Sequence, residues 1–242
     1  MMLECVPYLR LFPTSGPSEL EKVGSFLLFV PVLLFSMIAH EYAHGYAALK
    51  QGDATAYQLG RLTWNPIKHI DPFMSILLPV FTFFFWGFMF GGAKPVPVNP
   101  RNYRNYKRGD IIVSLAGVVV NFIIAIACIA LVVIIGLIGQ RMQGPLRELI
   151  LLQQMAIYGV VFNIILALFN LIPIPPLDGS HVLKYLLPPA WALQYQRAGR
   201  FGLLIVFAVV LFLPNVVFAP INFASSIALG GWVRPFILHG GF

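Results

Sequence analysis

Residues 26–49 read FLLFVPVLLFSMIAHEYAHGYAAL. From Phe26 to Ala39 no side chain is charged; His40, Glu41 and His44 then follow within five positions before small and apolar residues resume. About 20 apolar residues in a helix are enough to span a hydrocarbon core of about 30 Å. Each ionisable group carried to the middle of such a span costs about 2.5–3.5 kcal/mol on insertion scales, so groups found there are functional by default. The stretch implies two things together: the chain belongs in a membrane, and its first helix carries chemistry.

The whole chain agrees with the first point. It has 242 residues, 59% hydrophobic and only 10% charged, with a mean hydropathy of +0.82. A soluble domain carries about 25% charged residues. The net charge of +7 comes from basic residues in short loops between apolar runs. That pattern orients a membrane protein and does not build a nucleic-acid face, so no nucleic-acid partner is expected. Cys5 and Cys128 give neither a metal spacing nor a disulfide framework and read as small hydrophobes. Lys22 before an apolar run resembles the start of a cleavable signal peptide. Cleavage near Ala47 would discard His40, Glu41 and His44, so the segment is read as retained.

Outward from the opening stretch, residues 1–24 read as a loop or interfacial piece. The first helix is expected from about Ser25 to Lys50, with Gly52 as its stop. DATAYQLGRLTWNPIKHI (53–70) alternates strand formers around Gly60 and reads as a small membrane-associated β-hairpin. A second apolar run, 71–90, is broken by Pro72 and Pro79. GGAKPVPVNP (91–100) reads as extended, because a residue before proline avoids the α region, and as an edge strand. Further apolar runs cover about 111–138, 149–172 and 202–218, with Asp110 as N-cap of the first. The tail from Pro220 fits an interfacial helix or a last short insertion. The expected fold is an all-α polytopic membrane protein with about four to six transmembrane helices, a re-entrant segment and the hairpin. It forms a single integral-membrane domain over 1–242, with a catalytic core over about 25–185 and C-terminal helices over about 200–242.

His40-Glu41-Tyr42-Ala43-His44 is an H-E-x-x-H motif. Residues four apart share a helix face, so both imidazoles reach one metal ion. Glu41 is turned about 100° from His40 and can touch a water on the metal without being a ligand. Zinc lowers the pKa of such a water to about 7, and a neighbouring carboxylate serves as general base.

A catalytic zinc usually takes a third protein ligand. The acidic candidates are Asp53, Asp71, Asp110, Glu148 and Asp178. NLIPIPPLDGSH (170–181) stands out, because Pro173, Pro175 and Pro176 must break the preceding apolar helix. Non-helical backbone at membrane depth is tolerated only where it is buried in protein or lines a cavity. Asp178 ends this break. For it to meet His40 and His44, the C-terminal ends of their two helices must face one side, so one intervening run must enter and leave on the same side. The short, twice proline-broken run 71–90 is the best candidate. With 71–90 re-entrant, eleven Lys and Arg lie on the side of the site and five on the other; with it spanning, the split is ten to six. The positive-inside rule then turns the site toward the cytoplasm.

His40-Glu41-x-x-His44, paired with Asn170-x-x-Pro173-x-x-Pro176-Leu177-Asp178-Gly179, resembles the site-2 protease family of intramembrane zinc metalloproteases. GRLTWNPIKHIDP (60–72) and AKPVPVNP (93–100) are similar to its compact prokaryotic branch without appended PDZ or CBS domains. The resemblance implies one zinc per chain held by His40, His44 and Asp178, with Glu41 activating the water. It also implies that Asn170 helps hold substrate or the oxyanion. Gly117-x-x-x-Asn121 is similar to the family's small-x-x-x-Asn element, although Val118 replaces the usual proline; Asn121 is thereby a candidate site residue beside a helix-packing role. His181 is a candidate to orient a ligand, or an ordinary loop histidine. His69 and Asp71 read as interfacial anchors, and His239 carries no role. The expected partners are transmembrane protein substrates and the lipid bilayer of a prokaryotic cell membrane; the oligomeric state stays open. The rivals are a divalent-metal transporter or channel, an inactive membrane scaffold, and a zincin using Glu148 as third ligand.

Overall fold

A computed structural model describes residues 19–86, 91–142 and 146–238. It is mainly helical: α1 (Glu19–Gln51), α2 (Thr55–Gln58), a π-helical stretch (Pro72–Leu77) leading into α3 (Leu78–Trp86), α4 (Tyr106–Arg141), α5 (Arg147–Asn170), α6 (Gly179–Leu183), α7 (Pro189–Ala198), α8 (Gly202–Phe212) and α9 (Pro214–Leu229). Four helical segments are long and apolar enough to cross a membrane: Val23–Gln51, Tyr106–Arg141, Arg147–Asn170 and Pro189–Phe212. Ile123, Ile126 and Ile134 of α4 and Leu203, Leu204 and Phe212 of α8 are exposed. A water-soluble chain rarely leaves so many large apolar side chains of its helices uncovered.

Two compact units share the chain, and α1, α4 and α5 are each divided between them. In the first (1–36, 121–168 and 212–242), Ala125, Val132, Val160, Ile164, Leu229 and Val233 form a buried core. Several of its buried polar side chains find partners within it, as an apolar setting favours. The amide nitrogen of buried Gln153 donates to the carbonyls of Val132 and Phe236, and its oxygen accepts from the Leu238 N–H. Asn163 donates to the Ser36 hydroxyl and the Gly159 carbonyl. Cys128 packs against Gly159 as filler.

The second unit (37–120 and 169–211) holds most of the sequence motifs. Gly52, with φ of 111°, ends α1 as expected. No strand forms among the described residues, so the hairpin at 53–64 is corrected. Asp53 accepts from the backbone N–H and hydroxyl of Thr55, which starts α2. Gly60, with φ of 62°, turns the chain so that the Arg61 N–H reaches the Ala56 carbonyl and closes that helix. The turn glycine was legible, but it caps a helix. Residues 91–99 are extended without a strand partner. Asp110 is not an N-cap: α4 starts earlier, where Asn105 accepts from the Arg108 N–H. Nor is 19–24 a loop, since α1 begins at Glu19.

The run from Asp71 folds back on its own start. Asp71 accepts from the N–H groups of Phe73 and Met74 and so caps the π-helical stretch. Further on, the Gly92 N–H donates to the Met74 carbonyl, the Ser75 hydroxyl donates to the Gly92 carbonyl, and the Lys94 N–H donates to the His69 carbonyl. His69 is 2% exposed and its ring bonds the Thr63 carbonyl, so it is a buried brace and not an interfacial anchor.

Asp53 joins these pieces. It is fully buried and accepts from the Asn99 N–H (2.6 Å) and the Asn102 side chain (2.8 Å) as well as from Thr55. Burial alone would raise its carboxyl pKa; the donors, Asn99 first, outweigh burial and hold it below the usual range. A carboxylate depressed in the folded state adds stability above its unfolded pKa, and that stability is lost as pH falls through the folded value. Asp53→Ala should cost about 1–3 kcal/mol. In thermal unfolding of the detergent-solubilised protein, the gap to the parent should narrow as pH is lowered below about 4.

Candidate metal centre

All three expected ligands lie in the second unit and meet there. His40 and His44 stand on the same face of α1, with Nε2 atoms 2.9 Å apart. Asp178 Oδ2 is 3.3 Å from His40 Nε2 and 3.4 Å from His44 Nε2. Four ligands arranged tetrahedrally at zinc bond lengths of 2.0–2.1 Å stand about 3.3 Å from one another. The three donors therefore have the spacing of one face of a zinc tetrahedron, with a fourth position left over. Asp178 Oδ2 is buried and accepts no hydrogen bond, an unmet demand that a cation satisfies.

Each ligand is held by its neighbours. The His44 Nδ1–H donates to the Val113 carbonyl of α4 at 2.7 Å, which leaves Nε2 with its lone pair for metal. Gly117, one turn further along α4, lies directly against both rings. A Cβ there would sit 2.6 Å from His40 Cε1 and 2.6 Å from His44 Nε2. Gly117 is thus a residue of the site in its own right, where the sequence offered only the first position of the Gly117-x-x-x-Asn121 element and helix packing.

Asp178 stands at the N-cap position of α6, yet its carboxylate makes no cap hydrogen bond and turns to the histidines. Gly179 permits this, because a Cβ there would run into the Leu171 carbonyl. The turn before it contains a cis bond between Pro175 and Pro176. The Tyr195 hydroxyl donates to the Pro173 carbonyl, and Gly199 and Gly202 pack against Pro175. Behind α6, buried Asp110 of α4 pairs with Lys184 at 2.5 Å and accepts from the Tyr185 hydroxyl at 2.9 Å. The His181 ring approaches the same carboxylate at 3.1 Å, and the His181 backbone N–H donates to the Asp178 carbonyl at 3.0 Å. Burial, then the Asp110 carboxylate, push the Tyr185 hydroxyl well above its usual pKa, so it stays a donor.

Glu41 is not one of the three donors. Its Oε2 accepts from the Val96 N–H at 2.8 Å. That contact, and the Asp110 cluster, were not found from sequence. Asn170 is the half-buried last residue of α5. Asn121 falls in the first unit, fully buried. Of the other acidic candidates, Asp53, Asp71 and Asp110 are engaged in the bonds given above, and Glu148 is exposed in the first turn of α5. His239 lies outside the described residues.

A mainly helical chain with four apolar helices and a His-His-Asp set of zinc geometry defines a membrane zinc metalloprotease when set beside its relatives. The model of peptidase family M50 matches residues 134–213, which include Asp178. The Bacillus subtilis protein named "Putative zinc metalloprotease YwhC" is 40% identical over 185 residues, 76% of this chain and 80% of its own length. "Putative zinc metalloprotease Rip2" of Mycolicibacterium smegmatis is 31% identical over 187 residues, 77% of this chain and 68% of its own. Rip2 of Mycobacterium tuberculosis is 30% identical over 198 residues, 80% and 70%. No solved structure matches. The chain belongs to peptidase family M50, and it is a zinc metalloprotease.

Because α4 touches both rings at Gly117, adding one methyl group should displace the ligands. Gly117→Ala is expected to drop the zinc content of the purified protein from about one per chain to a small fraction. Elemental analysis checks this, with circular dichroism confirming that the helices persist.

Proposed function

We propose that this protein hydrolyses peptide bonds within or next to transmembrane segments of membrane-protein substrates, with His40, His44 and Asp178 as zinc ligands and Glu41 as general base. The observation that carries this reading is a set of three donors at tetrahedral spacing, two of them on an apolar helix, with a carboxylate in the same helical turn that is not one of the three. When bound, zinc supplies a Lewis acid that polarises the scissile carbonyl and acidifies water. Glu41, fixed through Oε2, has Oε1 to take the proton of the attacking water and pass it to the leaving amine as the C–N bond breaks. Asn170, at the mouth of the proline turn, is the residue we assign to hold substrate or the oxyanion, and Asn121 is a second candidate. A transmembrane substrate must unwind before its carbonyl is attacked. The extended segment 94–98 remains a surface for pairing, though its Lys94 and Val96 donors are already engaged.

The return of the chain from Asp71 to Gly92 and Lys94 supports 71–90 as a re-entrant segment. With the basic loops, it supports a site turned toward the cytoplasm of a prokaryotic cell. A metal transporter or an inactive scaffold has no use for a carboxylate placed next to the ligands and off the metal.

Glu41→Gln should lower cleavage by about 10²–10⁴-fold while keeping one zinc per chain. The measurement is hydrolysis of transmembrane substrates trapped by that variant in its host; cleavage at the parental rate would overturn the reading. For topology, Lys68→Cys and Lys94→Cys in a chain lacking Cys5 and Cys128 should react with an impermeant maleimide from the same side of sealed vesicles.

A further inference from the structure

We propose that the peptide bond between Pro95 and Val96, gripped by Arg61, positions the Glu41 carboxylate; the inference rests on Glu41 as the general base. One end of this peptide faces a cation and the other an anion. The Arg61 Nη2 donates to the carbonyls of Lys94 (3.2 Å) and Pro95 (3.3 Å). The N–H of the same Pro95–Val96 peptide donates to Glu41 Oε2 at 2.8 Å. A guanidinium on the carbonyl polarises the amide and strengthens its N–H as a donor to the carboxylate.

The surroundings leave this amide no substitute. Pro95 and Pro97 flank Val96 and have no N–H, so a slip of the segment in either direction would offer Glu41 nothing. The register is pinned on both sides, by the Lys94 N–H on the His69 carbonyl (2.8 Å) and the Asn99 N–H on Asp53 (2.6 Å). Val96 is 6% exposed. Gly45, one turn after Glu41 on α1, admits it: a Cβ at 45 would lie 2.9 Å from Val96 Cγ1. With Oε2 held, Glu41 is restrained from swinging onto the metal as a further ligand, and Oε1 keeps one orientation for the proton. Arg61 and the Val96 N–H are positioning groups, since neither touches the reacting atoms.

The test deletes the donor and leaves the rest. Val96→Pro removes the N–H, and Val96→Ala, which keeps it, is the reference against which the loss is read. Replacing Val96 by 2-hydroxyisovaleric acid, an ester in place of the amide, removes the same N–H without the bulk of a ring. The zinc-loaded full chain is assayed on a transmembrane substrate. Both donor-deleted variants should lose about tenfold or more in kcat with KM and zinc content held. Arg61→Gln should lower kcat in the parent and add little in the ester variant, because both act through one peptide. A parental kcat in the ester variant, a loss confined to KM, or fully additive losses would each overturn the proposal, and the ester decides if Val96→Pro does not fold. If Glu41→Gln is inactive while the ester variant is not, only this inference fails; if Glu41→Gln cleaves, the base assignment itself falls.

Discussion

The metal centre depends on how closely the backbone of α4 approaches the two histidine rings of α1. Two imidazoles one helical turn apart share an ion only if something fixes their planes and tautomers. Here the Val113 carbonyl takes the His44 Nδ1 proton, and Gly117 lets the helix press on both rings. The same contact explains the absence of a side chain at 117: the space a methyl group would need is already occupied by ligand atoms. Histidines with freely rotating rings would pay ordering entropy whenever metal bound; rings already braced bind with less of that cost.

The third ligand reaches the pair through the same helix. Asp110, seven residues before Gly117, is 2% exposed and takes Lys184, Tyr185 and His181 as partners. Burying an isolated carboxylate costs several kcal/mol, and the ammonium and hydroxyl offset this only when held in good geometry. The pairing therefore fixes where α6 lies, and Asp178 stands immediately before α6. One helix thus indexes all three donors: Val113 and Gly117 act on the histidines, and Asp110 acts on the aspartate. This also accounts for an acidic residue inside a helix as apolar as α4.

The grouping of His40, His44 and Asp178 was legible in sequence because their spacing and burial cost are properties of the sequence itself. H-E-x-x-H encodes a helix face, and the prolines before Asp178 encode a break in an apolar run. The re-entrant course of 71–90 is argued on a related ground, the need for Asp178 to meet the histidines, and stays a proposal. The short helix α2 was not legible, because Thr55, Tyr57 and Leu59 favour strand locally, whereas Asp53 and Gly60 hold its two ends and Asp53 is itself fixed by Asn99 and Asn102, more than 40 positions away. Asp110 misled in the same manner. An aspartate before an apolar run fits an N-cap, and only its partners at 181, 184 and 185 show a buried ion pair. Val96 was unreadable, because a backbone N–H leaves no trace in residue type.

The irregular stretches obey one rule that the edge-strand reading overlooked. Backbone outside helices in an apolar setting must have its N–H groups satisfied or removed. In 91–100 prolines remove three donors, and the N–H groups of Gly92, Lys94, Val96 and Asn99 go to Met74, His69, Glu41 and Asp53. In 171–178 prolines again remove three, while Ile174 and Leu177 bond the carbonyls of Ile172 and Ile174. Such a chain can stay extended without a ladder, because it has little left to offer one. The polar capacity that 171–178 leave unspent lies where the chemistry does: Asp178 Oδ2, without a hydrogen bond, stands against the two histidines.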